Sequence, residues 1–294
     1  MAAIRFAAIA ALLDTGEMAL ARALTIAGSD SGGGAGIQAD LKALARCGVY
    51  GTVAITAVTA QNTCGISAIH VVPPAIVTAQ IEAVAGDIGA DAVKVGMLAT
   101  AATIEAVAAA LRLRLPSVPM VLDPVLRASN GEDLLDPQAI STMIRELVPL
   151  ATVITPNLPE ARILLQVAGR LPRPGADDLE LAQALLELGA GAVVITGGHR
   201  AAPGDIYADR DGVHELEGTH HATEATHGSG CTHSAVLAAE LARGATALEA
   251  AMTAAVLAAE AVRSGIDGLG EGPGPVDVLR LADQHPAAAQ RRSR

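Results

Sequence analysis

Residues 23–40 read Ala-Leu-Thr-Ile-Ala-Gly-Ser-Asp-Ser-Gly-Gly-Gly-Ala-Gly-Ile-Gln-Ala-Asp, and this stretch decides the fold class. It opens on a short apolar run, Ala23–Ala27, which is typical of a buried strand. Five glycines follow within the nine residues Gly28–Gly36, and apolar residues at helical spacing continue to Cys47. A strand that turns through glycines into a helix predicts the first βα unit of an α/β protein. Such a turn can press its backbone against a ligand, with a plain flexible turn as the alternative.

The rest of the chain repeats this unit. Short apolar runs predict further strands at Gly51–Ala57, Ala92–Val95, Met120–Leu122, Thr152–Thr155 and Ala192–Thr196. Ala- and Leu-rich stretches predict helices at Gly36–Cys47, Pro74–Asp87, Thr100–Arg112, Asp136–Leu147, Leu158–Val167, Asp178–Leu188, Gly228–Arg243 and Thr246–Ser264. The segment Asp205–Thr219 has no helix between its strand-like pieces and predicts an antiparallel edge. Together these elements predict a three-layer α/β/α fold, with helices on both faces of a mostly parallel sheet.

Composition restricts the partners of this protein. The 294 residues carry a formal net charge of −11 and include only two lysines, Lys42 and Lys94. This balance excludes a nucleic-acid partner, because phosphate backbones are bound by clustered Lys and Arg. Any small anion that the protein binds is therefore expected to contact main-chain N–H groups, helix ends, a metal ion or Arg.

The cysteines and the two termini give the location and the domain limits. Cys47, Cys64 and Cys231 have no paired spacing, which favours a reduced, cytoplasmic compartment. The apolar stretch Phe6–Leu13 is too short to span a bilayer, so no membrane partner is expected. Residues 1–22 are interpreted as a disordered or mis-assigned extension, with a weak targeting segment as the alternative. A single domain is predicted over 23–284, followed by a disordered tail at 285–294.

Polar side chains follow several of the predicted strands. In open sheets of this kind, ligands bind beyond the carboxyl ends of the strands. Gln61 can read the edge of a ring such as an aminopyrimidine, and Met97 can form an apolar wall for a flat ring. An ordinary turn glutamine and a core methionine are the alternatives.

Carboxylates at two later strand ends indicate a metal–phosphate site. Asp123 can orient a Mg²⁺ ion through water, and Asn157 and Glu160 can share one face of a helix start near it. Charge complementation at the helix N-terminus is the alternative role of Glu160. Thr196, in Thr-Gly-Gly-His, ends the next strand and repeats the pattern.

The segment His227-Gly-Ser-Gly-Cys-Thr-His233 opens a long predicted helix and is the most specific motif. Successive N–H groups at a Gly-rich helix start form a nest for an anion, such as a phosphoryl group during transfer. Cys231 lies where the helix dipole is expected to lower a thiol pKa, so it is a candidate general base, with an inert packed cysteine as the alternative. His227 and His233 are expected to contact solvent or a ribose.

Seven motifs, in order along 24–275, resemble those of the hydroxymethylpyrimidine and phosphomethylpyrimidine kinases of thiamin synthesis, within the ribokinase-like superfamily. They are A-G-S-D-S-G-G-G-A-G-I-Q-A-D, T-A-Q-N-T, K-V-G-M-L, L-D-P-V, T-P-N-L-P-E-A, G-G-H and T-H-G-S-G-C-T. The resemblance implies a ribokinase-like fold and a homodimer. It also implies an enzyme that uses ATP and Mg²⁺ to phosphorylate 4-amino-5-hydroxymethyl-2-methylpyrimidine and then its monophosphate.

The resemblance also implies roles for individual residues. The implied pyrimidine pocket consists of Gly28, Asp40, Gln61, Met97 and Val125. The implied catalytic group consists of an anion hole at Gly228, Ser229 and Gly230 beside Cys231, which stands where sugar-kinase relatives have a general-base Asp. The implied nucleotide contacts are Asn157, Glu160, Thr196 and His227, and the implied metal contacts are Asp123 and Glu160. This chain has Thr196 where many relatives carry Lys, so its nucleotide contacts depart from the family pattern at this position.

Three other functions compete with this one. A pyridoxal or pyridoxine kinase also binds a flat heteroaromatic ring with a hydroxymethyl arm. A non-catalytic ligand-binding module on the same fold is disfavoured, because binding alone has no use for a transition-state anion hole. A dinucleotide-dependent dehydrogenase is disfavoured because no acidic residue ends the second strand.

Overall fold

The computed structural model describes residues 20–127, 134–135, 137–173, 175–199 and 203–284. The strands are β1 Arg22–Asp30, β2 Tyr50–Asn62, β3 Gly65–Val71, β4 Ala92–Val95, β5 Met120–Leu122, β6 Val153–Ile154, β7 Ala192–Ile195, β8 Asp205–Asp209 and β9 Gly212–Leu216. The helices are α1 Gly36–Arg46, α2 Pro74–Asp87, α3 Ala101–Arg114, α4 Pro137–Glu146, α5 Leu158–Val167, α6 Asp178–Leu186, α7 Ser229–Ala242 and α8 Ala247–Arg263.

The strands form one sheet in the order β3-β2-β1-β4-β5-β6-β7-β8-β9. The six strands from β2 to β7 in this order are parallel, and β3, β8 and β9 add antiparallel edges. The carboxyl ends of the parallel strands therefore lie along one edge of the sheet, which we call the carboxyl edge.

Helices cover both faces because neighbouring residues of a buried strand point to opposite sides. On β7, Val193 and Ile195 pack with the helices α2 to α6, and Ala192 and Val194 pack with α7 and α8. Helix α1 contacts β1 and α7 and lies on the second face. The predicted three-layer α/β/α architecture is confirmed.

Several elements match the predicted bounds, and others are longer. β4, β5, α2 and α5 have the bounds predicted, and the antiparallel edge at β8 and β9 is confirmed. β1 starts at Arg22, inside the predicted N-terminal extension. It starts there because the Arg22 guanidinium and main-chain N–H both bind Asp91. Residues 1–19 of that extension and the predicted tail at 285–294 lie outside the described residues.

Strand β3 was not predicted. It pairs antiparallel with β2 and forms one of the two edges of the sheet, and most of its side chains are exposed. A strand with water on both faces lacks the apolar alternation by which a half-buried strand is recognised in a sequence.

Within the described part of the chain, no helix combines the length and hydropathy needed to cross a membrane. The apolar stretch Phe6–Leu13 falls outside that part.

Candidate active site

The glycine-rich loop after β1 is closed by a carboxylate. Oδ1 of Asp30 accepts the N–H of Gly32 at 2.7 Å, and Oδ2 accepts those of Gly34 and Ala35 at 3.0 and 2.9 Å. Burial alone would raise the pKa of Asp30, but the hydrogen bonds from His227 and from the Ala35 and Gly32 N–H groups hold it below its usual value. The loop is thus an ordered turn around an ionised Asp30, and not a flexible segment.

Two contacts join this loop to the start of α7. Nε2 of His227 lies 3.2 Å from Oδ2 of Asp30. Gly228 has a φ of 80°, and a Cβ at this position would overlap the carbonyl oxygen of Gly34. Only glycine combines that left-handed conformation with so close an approach. His227 therefore positions a loop, whereas the sequence predicted that it contacts solvent or a ribose.

The turn Gly228–Cys231 presents its main chain at the carboxyl edge. Gly228 is the N-cap of α7, and Gly230 and Cys231 lie in the first helical turn. N–H groups in a first turn have no carbonyl partner within the helix, and the helix dipole is positive there. The Ser229 N–H bonds the Thr226 carbonyl at 3.1 Å, so Gly230 and Cys231 have the first-turn N–H groups that can serve an anion hole.

The thiol of Cys231 does not have the depressed pKa that the sequence predicted. Burial raises its pKa to about 12, and the Asp123 and Asp40 carboxylates act in the same direction. The Lys94 ammonium and the Gly36 N–H oppose this rise without overcoming it. In the ligand-free protein the thiol is therefore neutral at physiological pH, because desolvation outweighs the favourable helix position.

A buried ion pair lies next to this thiol. Nζ of Lys94 is 3.0 Å from Oδ1 of Asp40 and 3.6 Å from Oδ2 of Asp123. Thr25 donates its hydroxyl to Oδ2 of Asp40 at 2.5 Å. Burial alone would lower the pKa of Lys94, but the charge of Asp40, its hydrogen bond to Lys94 and the charge of Asp123 outweigh burial and raise it. Lys94 thus stays protonated beside the thiol.

Sequence reasoning assigned no role to Lys94. The available signal was a lysine inside a four-residue strand whose other members are Ala and Val, since a buried charge requires a charged partner. Asp40, which the sequence predicted to line the pyrimidine pocket, belongs to this buried cluster. It is fully buried and contacts Lys94, so in the ligand-free protein it lies below the surface of that pocket.

Asp123 and Glu160 bring two carboxylates together at the ends of β5 and β6. Ser234 of α7 donates to Oδ2 of Asp123 at 2.9 Å. Burial and the neighbouring Asp123 charge raise the pKa of Glu160 to about 8, although N–H groups of Asn157 and Leu126 bond its carboxylate. Ser234 is a second residue of this site that the sequence did not indicate.

Glu160 also has the helix-terminal role that the sequence left open. The Asn157 side chain accepts the Glu160 N–H at 2.9 Å, and Glu160 accepts the Asn157 N–H at 2.9 Å. This reciprocal pair is a capping box that starts α5. Both residues lie at the carboxyl edge, where Asn157 forms a β-bridge with Thr196.

The residues predicted for a pyrimidine lie at the ends of β1, β2 and β4. A Cβ on Gly28 would lie 3.0 Å from Sδ of Met97, so these two residues are in close contact. Oε1 of Gln61 accepts the Thr59 hydroxyl at 3.1 Å, and the Gln61 main chain is bonded to Ser31 in the glycine-rich loop. Gln61 and Ser31 line an open cleft of about 530 Å³.

The remaining predicted residues lie near this cluster. The half-buried Val125 directly follows the Asp123–Pro124 step, and its N–H bonds the Asp123 carbonyl at 2.8 Å. His233 is only 4% exposed, so the expectation of a solvent contact is wrong. Its Nε2 lies 3.0 Å from Asp205. Three-layer packing encloses His233, because the second turn of α7 lies against the sheet.

The arrangement defines a small-molecule kinase of the ribokinase-like class: an anion-binding helix start and an adjacent carboxylate pair, at the carboxyl edge of an α/β/α sheet. Comparison with known proteins narrows this class. The family described as phosphomethylpyrimidine kinase matches residues 30–277. The chain therefore belongs to the hydroxymethylpyrimidine/phosphomethylpyrimidine kinase family, and the predicted family and fold class are both confirmed.

Curated relatives agree with this assignment, and two solved kinase structures share the fold. The chain is 45% identical to the hydroxymethylpyrimidine/phosphomethylpyrimidine kinase of Rhizobium meliloti, over 86% of this chain and 95% of that protein. It is 46% identical to the same kinase of Haemophilus influenzae, with the same coverage. A Bacillus subtilis pyridoxal kinase in complex with ADP has a TM-score of 0.79 at 38% identity, over 90% of this chain and all of that one. The phosphomethylpyrimidine kinase of Clostridium difficile has a TM-score of 0.71 at 37% identity, over 82% and 99%.

Proposed function

We propose that this chain transfers a phosphoryl group from MgATP to 4-amino-5-hydroxymethyl-2-methylpyrimidine, and then phosphorylates the monophosphate to the diphosphate, in thiamin biosynthesis. Membership of the kinase family gives the reaction class. The observation that carries the proposal is the contact between the two glycine-rich segments, in which Gly228 packs against Gly34. It joins the anion-binding turn to the loop that contacts Gln61 through Ser31. A ring hydroxymethyl group and a phosphate can therefore meet beside Cys231.

The turn Gly228–Cys231 supplies the electrostatic part of catalysis. Charge accumulates on the equatorial oxygens of a phosphoryl group in transfer, so fixed main-chain N–H groups stabilise the transition state. Of the predicted anion-hole residues Gly228, Ser229 and Gly230, Ser229 already donates its N–H to the Thr226 carbonyl, so we expect the Gly230 N–H, with that of Cys231, to contact the phosphate. Lys94 is committed to Asp40 and Asp123, which leaves the turn to neutralise the phosphate.

Cys231 is the residue positioned to take the proton of the attacking hydroxyl. Its thiol is neutral in the ligand-free protein, so it needs a pKa lowered in the loaded site to act as a base. The adjacent Lys94 ammonium is the group that stabilises a thiolate. A neutral thiol adds no charge to the cluster of Lys94, Asp40 and Asp123 in the ligand-free protein, whereas an aspartate at position 231 would add a third carboxylate.

Asp123 and Glu160 fit a magnesium site in which ATP provides most ligands. A raised carboxyl pKa beside a second carboxylate is the signature of negative charge that a divalent cation relieves. Among the described residues, no group of three or more His, Cys, Asp or Glu side chains forms a complete metal cage. Magnesium commonly binds one or two carboxylates, waters and the nucleotide phosphates, and it neutralises phosphate charge there. Asn157, Thr196 and the capped α5 start border this position.

Pyridoxal kinase activity is the second candidate. It is favoured by the Bacillus subtilis pyridoxal kinase, whose fold superposes with a TM-score of 0.79. The pocket formed by Gly28, Gln61 and Met97 accepts a flat ring in either case. The stronger support remains with the pyrimidine kinases, which include the curated relatives at 45% and 46% identity.

Product analysis tests the function. Purified protein is incubated with MgATP and hydroxymethylpyrimidine, and the products are separated by ion exchange and identified by mass. Monophosphate followed by diphosphate is expected. A parallel series with pyridoxal compares kcat/KM, and a larger value for pyridoxal would overturn the proposal in favour of the second candidate.

A homodimer and a cytoplasmic location complete the proposal. The hairpin of β2 and β3 forms one edge of the sheet and exposes apolar side chains at Val58 and Ile69. Such an edge is commonly covered by a second copy of the chain. Sedimentation equilibrium is expected to give twice the monomer mass, and a mass of one chain at micromolar concentration would contradict it.

A further inference from the structure

Asp205 and His233 form a buried pair on the opposite side of the α7 start from the Lys94 cluster. Oδ2 of Asp205 lies 3.0 Å from Nε2 of His233, and the two side chains are 10% and 5% exposed. The proposed reaction assigns no role to either residue. A buried carboxylate and imidazole are costly unless they bond each other well, so the pair is an ordered element of the structure.

The second carboxylate oxygen of Asp205 holds the loop after β7. Oδ1 accepts the N–H of Gly197 at 2.7 Å. Glycines allow close main-chain contacts here. A Cβ on Gly197 would overlap the carbonyl of Gly204, and a Cβ on Gly218 would lie 2.5 Å from the Cα of Gly204. The main chain at Thr196-Gly197 therefore has one position relative to Asp205.

The topology places this pair between two segments of the active site. Asp205 begins β8, which runs antiparallel to β7, so it lies at the carboxyl edge beside the end of β7. His233 lies in the second turn of α7, two residues after Cys231. One carboxylate thus connects the end of β7, where Thr196 lies, to the helix that begins with the anion-binding turn.

We propose that Asp205 and His233 are positioning residues for the nucleotide, which fix the Thr196-Gly197 main chain relative to the Gly228–Cys231 turn. This inference rests on the proposed function, because it requires a nucleoside triphosphate that spans the two segments. The pyrimidine residues Gln61 and Met97 lie on β2 and close to the end of β4, on the other side of the anion turn. Loss of the pair therefore weakens nucleotide binding and leaves pyrimidine binding intact.

The ring of His233 depends on Asp205 for its orientation. Among the described residues, Nδ1 of His233 is buried without a hydrogen-bond partner, so Nε2 is the anchored atom. A side chain that only filled space here would not require a buried carboxylate opposite it. A glutamine can place an amide N–H where Nε2 lies, whereas leucine fills the space and leaves Asp205 without this bond.

The test measures binding of AMP-PCP with Mg²⁺ by titration calorimetry, for the wild-type protein, His233→Leu, His233→Gln and the control His214→Leu. His214 is an exposed histidine on β9, so the control makes the same substitution away from the pair. We expect His233→Leu to bind about tenfold more weakly, equivalent to about 1.4 kcal/mol, and His233→Gln to recover to within about threefold of wild type. The control should bind like wild type.

Steady-state kinetics give the second measurement. In His233→Leu the KM for ATP should rise by about the same factor as the dissociation constant, while the KM for the pyrimidine stays unchanged. Equal rises in both KM values, or tight AMP-PCP binding by a folded His233→Leu, would overturn the inference.

Two further outcomes are decisive. If His233→Leu does not fold, His233→Gln is compared with His233→Asn instead. The asparagine side chain is one methylene shorter than glutamine, so its amide does not reach Asp205. Weaker AMP-PCP binding by the Asn variant alone supports the inference, and equal binding by both overturns it. Failure of the wild-type protein to bind AMP-PCP would instead overturn the proposed function itself.

Discussion

The Lys94 ammonium lies 3.0 Å from Oδ1 of Asp40, and both side chains are closed off from solvent beneath Cys231. A buried pair of this kind does not by itself add stability, but it makes the protein depend on both partners. The same pair keeps a fixed positive charge next to the thiol. Lys94 and Asp40 therefore affect both the stability of the fold and the electrostatic environment of the Cys231 thiol.

Lys94→Met is expected to lower the free energy of unfolding by about 3–5 kcal/mol, because Asp40 is left as an uncompensated buried charge. Urea denaturation measures this change. The control is Arg114→Met, which breaks the exposed pair with Glu82 and should cost less than about 1 kcal/mol. The double variant Lys94→Met/Asp40→Asn should recover part of the loss. Equal costs for Lys94→Met and Arg114→Met would refute the expectation.

Cys231→Ala is expected to lower kcat by about 10²- to 10⁴-fold if the thiol is the general base, with little change in either KM. Steady-state rates with MgATP and hydroxymethylpyrimidine measure it. Cys231→Asp should retain more activity than Cys231→Ala, since a carboxylate can also accept the proton. Undiminished turnover in Cys231→Ala would rule out the base role.

The reactivity of the cysteines should follow their surroundings. Because burial raises the pKa of Cys231 to about 12, its alkylation by iodoacetamide in the ligand-free protein should be slow at pH 7 and keep rising to pH 10. The exposed Cys64 should be modified first. Peptide mapping by mass spectrometry separates the two sites. An alkylation rate of Cys231 that rises with a midpoint near pH 7 and then levels off would contradict the raised pKa.

Asp30→Asn should destabilise the protein in a pH-dependent way. The folded-state pKa of Asp30 lies below its ordinary value, so its contribution is complete above about pH 4 and disappears as the pH falls through the folded value. We expect a loss of about 1–3 kcal/mol at pH 7 and a smaller one near pH 3. Urea titrations at the two pH values measure the difference, and an equal loss at both would contradict it.

Gly228→Ala should damage the anion hole, since Gly228 has a positive φ and no room for a methyl group beside Gly34. The expected fall in kcat is about 10²-fold, the scale seen when one oxyanion donor is lost. Gly86→Ala is the control, because nothing lies within 4 Å of the added Cβ. An active Gly228→Ala enzyme would show that the turn is not the site of phosphate stabilisation.

The sequence predicts best those strands and helices whose bounds are determined by the local pattern of residues. β4 and α2 have the predicted bounds because local sequence determines them: β4 is a run of buried residues, and α2 is an Ala-rich apolar stretch that starts with Pro74. Strand β3 was missed because its pairing with β2, and not its own pattern, makes it a strand. The Gly228–Cys231 turn was recognised from its glycines, because glycine permits a backbone conformation and a close approach that other residues do not.

The contacts that complete the site depend on distant parts of the chain. Lys94 and Asp40 are 54 residues apart, and Ser234 and Asp123 are 111 apart, so no local pattern reports either pair. The pKa of Cys231 was predicted with the wrong sign for the same reason. Its position at the helix start is visible in the sequence, but the burial that dominates its pKa appears only after packing.

The bond between His227 and Asp30 spans 197 residues and has a consequence for biosynthesis. A ribosome makes the loop that holds Asp30 long before it makes His227. Every strand of the sheet is synthesised before the two can meet. A nascent or prematurely terminated chain can thus assemble much of its sheet while it lacks a completed catalytic centre. Such incomplete chains would not consume ATP, so phosphoryl transfer begins only after His227 and the start of α7 have left the ribosome.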